Sequence, residues 1–140
     1  MGDRCYLQVT VRADDEAAIE KHLGHADERE EEGTTVMLTY QEANYGLGNA
    51  LEEAASARVE FHGWHGTGSS YDSSEFCSFN ETVLYVYTGL DGGYLINGYT
   101  AEERLKSLTR LEECLSKMSL VRSKVNNPLC ALALKGDSNE

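Results

Sequence analysis

The sequence predicts an α+β domain: a mixed or antiparallel sheet of about five to six strands, with a long helix from the C-terminal half and one or two shorter helices packed on it. Two observations support this prediction. Several short segments alternate apolar and polar residues, as half-buried strands do, and one long segment repeats leucine at spacings of three and four, as an amphipathic helix does. Their order (strand, helix, strand, short helix, three strands, long helix, strand) indicates helices packed on one face of a sheet.

The first half of the chain contains two predicted strands and two short predicted helices. "CYLQVTVR" alternates and reads as a half-buried strand, while "ADDEAAIEKHLG" begins with helix-capping acids and ends at a glycine. "TTVMLTYQ" is a second strand, and "NALEEAASAR" is a short helix with a capping-box-like start. Between the first helix and the second strand, "HADEREEEG" predicts an exposed acidic loop.

The next part of the chain predicts three strands. "VEFHG" is a brief strand, and a glycine- and serine-rich loop follows it to about Ser74. "TVLYVYTG" is apolar at consecutive positions, which favours a central strand. "LDGG" is typical of a hairpin turn, so "YLINGY" is predicted to return as the next strand.

The strongest helix prediction covers residues 100–125, which open on a capping box of Thr100 and Glu103. Leu108, Leu111 and Leu115 are expected to be buried beneath this helix. "LCALALK" then alternates again and predicts a last strand. The single domain is expected to span residues 1–135, with a flexible polar tail over residues 136–140.

Composition limits the classes of partner. The 140 residues include 24 acidic and 12 basic side chains, a formal net charge of −12. Such a chain repels nucleic-acid phosphates and attracts basic proteins, although solubility alone would also explain the charge. No apolar run is long enough for a membrane span, and the N-terminal segment has no apolar signal region, which predicts a cytoplasmic protein without membrane contact. The four cysteines are far apart and are expected to be buried thiols.

The four histidines form two pairs, "HLGH" and "HGWH", which could in principle ligate zinc. No cysteine is near either pair, and neither has the His-Glu-x-x-His pattern, so no metal or other cofactor is expected. The serines near His62 and His65 do not sit in a Gly-x-Ser-x-Gly elbow, and no catalytic residue is predicted.

The segment "FHGWHGTGSSY" has the composition of a recognition loop. Trp64 and Tyr71 would be rigid aromatic anchors, with His62 and His65 as polar flanks. The alternative is that Trp64 is a core residue and that the glycines only let the chain turn around it. The acids Glu30, Glu31 and Glu32 would complete the predicted partner-binding set by steering a basic protein.

Three segments, "MGDRCYLQVTVR", "YQEANYG" and "FHGWHGTGSSY", resemble small acidic proteins carried by bacteriophages and prophages. The likeness covers mainly the first half of the chain and brings no catalytic motif with it. It implies a setting in which compact acidic proteins often block host nucleases or DNA-binding complexes.

The sequence therefore favours a non-enzymatic acidic binding protein, a phage-encoded inhibitor that docks on a basic groove of a host nucleic-acid-binding or defence complex. The alternative is a small enzyme, or a ligand- or metal-binding domain, that uses the His62–Tyr71 loop. Convergence of the four histidines and Trp64 on one pocket would favour the alternative. The oligomeric state is left open.

Overall fold

A computed structural model describes residues 3–89 and 91–126 of the chain. The described residues form one antiparallel sheet of six strands, in the order β2-β3-β1-β4-β5-β6, and three α-helices, which confirms the predicted fold class. The elements are β1 (Arg4–Arg12), α1 (Glu16–Leu23), β2 (Glu28–Glu32), β3 (Thr35–Asn44), α2 (Gly48–Ser56), β4 (Phe61–His65), β5 (Ser74–Phe79), β6 (Thr82–Tyr87) and α3 (Ala101–Asn126).

Helices pack on both faces of the sheet, whereas the sequence predicted them on one. On the first face, which we call the α1/α2 face, the buried cluster includes Leu7, Val9, Phe61 and Phe76 with residues of α1 and α2. On the second, the α3 face, Cys77 and other residues of β5 and β6 pack against α3. The strand β6 has apolar residues on both sides because helices cover both faces of the sheet there. It is not a central strand, as the sequence predicted, but the last strand of the described sheet.

Only the second half of α3 is firmly packed. Met118, Val121 and Val125 are buried, but Leu111 and Leu115 are half-buried and Leu108 is 39% exposed, so the prediction for Leu108 is wrong. The reason is that the predicted return strand over residues 94–99 does not form, and a single bridge joins Thr88 to Tyr94. Without that strand, the described sheet ends at β6 and offers less surface beneath the start of α3.

The acidic segment predicted as a loop is the edge strand β2, paired with β3 from Glu28 to Glu32. All five of its side chains are exposed. Charged side chains are poor strand formers, but they are common on edge strands because they oppose pairing with a second copy of the same edge. Backbone pairing with β3 therefore determines the conformation here, and the charges remain in water.

The strand β4 extends two residues further than predicted, so Trp64 and His65 belong to a strand and not to the loop. Its antiparallel pairing with β1 runs from Val11–Phe61 to Leu7–His65. The glycine- and serine-rich connection that remains covers residues 66–73.

Some predictions fall on other parts of the chain. The predicted last strand "LCALALK", the polar tail at 136–140 and Cys130 lie outside the described residues. Cys5 and Cys77 are buried and Cys114 is half-buried.

No helix within residues 3–89 and 91–126 combines the length and the apolar character that crossing a bilayer requires.

Candidate functional site

The antiparallel register places several of the predicted binding residues in two rows across the α3 face. One row runs through directly paired residues from β2 to β5: Glu28, Thr39, Gln8, Trp64 and Glu75. The next row runs in the same way through Glu30, Met37, Thr10, His62 and Cys77. Because neighbouring strands lie about 4.8 Å apart, Trp64 and His62 are three strand spacings, about 14 Å, from the acidic edge.

The helix α3 packs on β4, β5 and β6, and its last turn bonds to Arg12 at the end of β1. Among the described residues, no helix packs on the remainder of this face. We call the side chains of that remainder the open patch: Tyr6, Gln8, Thr10, Met37 and Trp64. Tyr6 is 38% exposed and the other four are half-buried.

Carboxylates border the open patch on β2. Glu28, Glu30 and Glu32 alternate with Arg29 and Glu31, so these three acids point to the α3 face; we call them the acidic edge. The Glu28 side chain accepts a hydrogen bond from Gln41, whereas Glu30 and Glu32 form no ion pair with any described residue.

Glu31, the third predicted acid, is placed differently. It points to the α1/α2 face, where Arg29 forms ion pairs with both Glu31 and Glu16. Two hydrogen bonds join the Arg29 guanidinium to Glu16, and they hold the pKa of the Glu16 carboxyl below its usual range. Glu31 is thus paired with a cation, and the predicted acidic set divides between the two faces.

The cations around the open patch are also paired. Arg4 forms an ion pair with Glu42, and Arg12 forms ion pairs with Asp15 and Glu60. The Arg12 Nε also donates to the carbonyl of Lys124 in the last turn of α3, at 3.2 Å, where a cation suits the helix dipole. The charge that is left unpaired beside the patch is therefore negative.

Trp64 is half-buried, which is intermediate between the core residue and the projecting anchor that the sequence allowed. Its ring packs against that of Tyr6, with ring centroids 6.3 Å apart and the planes tilted by 55°. Aromatic pairs of this kind present a large, rigid contact area with little conformational entropy left to lose. The pair is the main aromatic feature of the open patch.

His62 lies where the open patch meets α3. Its Nε2 donates to Oδ1 of Asn126 at 3.0 Å, which joins β4 to the end of the helix. Burial lowers the pKa of His62, and the neighbouring Arg122 adds to this effect, while Asn126 and Glu75 oppose it. With its pKa below the ordinary 6.5, His62 is neutral at pH 7 and adds no positive charge to the face.

The lowered pKa of His62 gives an expected pH dependence of stability. Above pH 6.5 the ring is neutral in the folded and unfolded chains; below it, the unfolded chain binds a proton that the folded chain resists. The free energy of unfolding should therefore fall as the pH drops from 7.5 through 6.5 toward the folded-state pKa. Urea denaturation at pH 7.5 and pH 5.5 should show a smaller loss for His62→Gln than for the wild type. An equal loss in both proteins would contradict this assignment.

His65 and Tyr71 belong to the other side of the sheet. His65 is three residues from His62 in the same strand, so it points to the α1/α2 face, where it is buried. Its Nδ1 donates to the Gly66 carbonyl at 2.9 Å, and its ring meets that of Tyr71 edge-on, with centroids 5.5 Å apart. The structure therefore divides the predicted loop set into Trp64 and His62 on one face and His65 and Tyr71 on the other.

The loop over residues 66–73 is fixed by Asp3. The Asp3 carboxylate accepts hydrogen bonds from the backbone N–H groups of Ser69 and Ser70, both at 2.7 Å, and from the Ser70 hydroxyl. These bonds, that of the Ser70 hydroxyl first, lower the pKa of Asp3. The Asp3 carbonyl oxygen accepts from the Tyr71 hydroxyl at 3.0 Å. The glycines and serines thus form a loop that Asp3, directly before β1, holds in place.

The histidines do not meet in one pocket. His22 approaches Glu53 of α2 at 3.9 Å, while His62 and His65 point away from each other. Among the described residues, no group of three or more His, Cys, Asp or Glu side chains is arranged to hold a metal ion. The Ser70 hydroxyl bonds to Asp3 and the Ser73 hydroxyl to Thr88, so neither is held by a histidine.

Cys77, a possible catalytic partner of His62 or His65 on sequence grounds, is directly opposite His62 on the α3 face. Burial raises the pKa of the Cys77 thiol to about 11, and it is fully covered by α3 and the sheet. A thiol is a good nucleophile only as the thiolate, so this pair has the character of core packing.

Comparisons of the chain with models of protein families, with curated proteins and with solved structures give no match. The resemblance to phage proteins therefore stays a prediction.

Two sets of residues at these surfaces were not predicted from the sequence. Tyr6 and Gln8 read only as the polar side of a first strand, and their position beside Trp64 depends on the pairing of β1 with β4. Tyr85 and Tyr87 read as part of a buried strand, yet both are partly exposed beside His65. Strand alternation could have indicated which residues of one strand share a face. Which residues of neighbouring strands lie side by side depends on the register.

Proposed function

We propose that this chain is a non-enzymatic binding protein whose acidic edge and open patch together dock a basic protein. The observation that supports this proposal is the juxtaposition of unpaired carboxylates with a half-exposed aromatic pair on one sheet face. Glu30 and Glu32 form no ion pair with any described residue, and the Tyr6–Trp64 pair is in the open patch beside them.

The two parts have different physical roles. Exposed charges at the rim of an interface chiefly speed the encounter of partners, and their effect weakens as salt is added. A large aromatic ring near the centre of an interface slows dissociation, because its burial is lost when the complex opens. The acidic edge would steer a basic surface toward the sheet, and Trp64 would hold it there.

The edge strand gives the partner a second means of contact. The outer side of β2 has no neighbouring strand in the described sheet, so its backbone can pair with an extended segment. Its five exposed side chains include four glutamates, which repel a second copy of this chain and favour a lysine- or arginine-rich segment. In the phage setting that the resemblance implies, the basic partner would be a host nuclease or another nucleic-acid-binding complex.

The test compares two variants in capture from bacterial lysate and then in binding kinetics with the captured partner. Glu30→Gln with Glu32→Gln should slow association several-fold at low salt, and about 0.5 M salt should remove most of the difference, since screening then acts within a few ångströms. Trp64→Ala should instead raise the dissociation rate, with a binding cost on the order of 2 kcal/mol for a hot spot.

A charge-matched control is available on α3. Glu112→Gln with Glu113→Gln removes the same charge from exposed positions on another element and should leave association nearly unchanged. Circular dichroism and thermal melting must show that each variant is folded. If the partner binds all three variants with wild-type kinetics, it does not dock on this face. If both glutamate pairs slow association equally, the effect comes from net charge and not from the acidic edge.

A further inference from the structure

A small cavity opens on the α1/α2 face, away from the open patch, where β4 ends and β5 begins. Its volume is about 210 Å³. Four tyrosines, one histidine, one serine and one carboxylate line it: Tyr45, Tyr71, Tyr85, Tyr87, His65, Ser74 and Asp72. We call this set the tyrosine cage.

The rings of the cage follow one another around the cavity. The centroids of Tyr45 and Tyr71 are 6.4 Å apart, those of Tyr71 and His65 are 5.5 Å apart, and those of His65 and Tyr85 are 6.0 Å apart. The planes of the last two pairs are steeply inclined, at 81° and 63°. Tyr87 is the cross-strand neighbour of Ser74, which in turn pairs with His65, so it extends the same wall.

Hydrogen bonds to Asp3 hold two of the cage tyrosines in place. The Asp3 carbonyl oxygen accepts two hydrogen bonds, from the Tyr45 backbone N–H at 2.6 Å and from the Tyr71 hydroxyl at 3.0 Å. Tyr45 has a positive φ of 52°, a conformation that non-glycine residues adopt rarely and that clusters at functional sites. A cavity whose walls are already ordered binds with less entropy to lose.

The chemistry of the walls selects the charge of a ligand. The π-face of an aromatic ring attracts cations, and several rings around one cavity are the known means of holding a quaternary ammonium group. The Asp72 carboxylate and the net charge of −12 add to the attraction and exclude phosphates and other anions. Burial raises the pKa of Tyr85 to about 12, so this ring acts as a neutral phenol.

We infer that the tyrosine cage binds a small organic cation, an alkylated ammonium group such as that of choline or of a trimethylated lysine. The volume of about 210 Å³ is below the usual 300–1,000 Å³ range of drug-sized ligand pockets, which suits a compact head group. This site is on the opposite face from the open patch and does not depend on the proposed docking of a basic protein.

The decisive comparison is between choline and its neutral carbon isostere, 3,3-dimethylbutan-1-ol, by isothermal titration calorimetry at matched ionic strength. Choline chloride should bind saturably with one site per chain, and the alcohol should bind at least about tenfold more weakly. If the alcohol binds as well as choline, the cavity is merely apolar and the inference fails. The inference also fails if choline does not bind saturably and a peptide with a trimethylated lysine binds no more tightly than the unmethylated peptide.

Ring removal tests the same inference without new ligands. Tyr87→Ala should weaken binding roughly three- to thirtyfold, whereas Tyr87→Phe retains the ring and should bind almost as the wild type does. Tyr99→Ala is the matched control, because Tyr99 is 100% exposed and is not part of the cage. Wild-type affinity in a folded Tyr87→Ala protein would show that the cation is attracted only by the net charge.

Short peptides distinguish the two sources of the cation. An acetylated, amidated Gly-Lys-Gly peptide with a trimethylated lysine should be compared with the unmethylated peptide and with choline. Tighter binding of the methylated peptide than of choline would assign the site to a modified protein side chain. Binding of choline alone would assign it to a free cation. Equal binding of the methylated and unmethylated peptides would contradict cage recognition, because the cage favours the dispersed charge of the methylated group.

Discussion

Phe61→Ala is expected to cost about 3–5 kcal/mol in the free energy of unfolding, the range for removing a buried aromatic ring. Phe61 is fully buried at the start of β4, and its ring meets that of Phe76 edge-on with centroids 6.1 Å apart. Truncation removes this aromatic contact and leaves a cavity between the sheet and the two short helices. Since small domains are stable by only about 5–15 kcal/mol, the loss would be a large part of the total.

Urea denaturation of the wild type and of Phe61→Ala measures this loss directly. Leu105→Ala is the control, because Leu105 is 64% exposed on α3 and its truncation should change stability by less than about 0.5 kcal/mol. Thermal melting should show a Tm lower by on the order of 10 °C for Phe61→Ala. A loss below about 1 kcal/mol would mean that the α1/α2 face is not the main core of the domain.

The fold class could be predicted because it depends on local patterns. Alternation in β1 and β3 and the long repeat in α3 each specify an element without reference to the others. Whether helices cover one face of the sheet or both depends instead on the order of the strands, which local patterns do not specify. The apolar residues on both sides of β6 indicated burial on both sides, and a helix on each face explains them as well as a central position does.

The boundary of β4 shows why the site was less predictable than the fold. Glycine beside His62 and Trp64 indicates a turn by itself, yet the backbone there continues in register with β1 and β5. Pairing on both sides of a strand overrides the weak preference of single residues. Because β4 extends to His65, strand alternation places the side chains of Trp64 and His65 on opposite faces of the sheet. A loop has no such alternation, so the loop interpretation could not predict this division.

Two surfaces on opposite faces result from this single strand. Trp64 belongs to the open patch and His62 lies at its border with α3, beside which we propose that a basic protein docks. His65 joins the tyrosine cage, near the start of α2. Because both surfaces share β4, a shift of that strand would couple them mechanically, and the ordered core on both faces opposes such a shift.

Gly63→Ala is expected to destabilise the domain by on the order of 3 kcal/mol, at the upper end of the usual overpacking cost. Gly63 is between His62 and Trp64, in the middle of β4. A methyl group there would overlap the backbone carbonyl oxygen of Gln8 and would lie 2.7 Å from Cζ of Phe76. The Phe76 ring could move only by disturbing the core, and the carbonyl belongs to the neighbouring strand, so neither obstacle can yield cheaply.

Gly48→Ala is the matched control, because the same substitution should there act in the opposite direction. Gly48 has helical backbone angles of −54° and −44° at the start of α2, and an added methyl group would only reach ordinary contact with the Tyr85 hydroxyl at 3.8 Å. Alanine loses less backbone entropy than glycine on folding and should stabilise the domain by about 0.5–1 kcal/mol. Opposite signs for the two variants in urea denaturation would establish that the glycine in "HGWH" is required by close packing between strands. A Gly63→Ala protein as stable as the wild type would show instead that this segment turns away from the sheet.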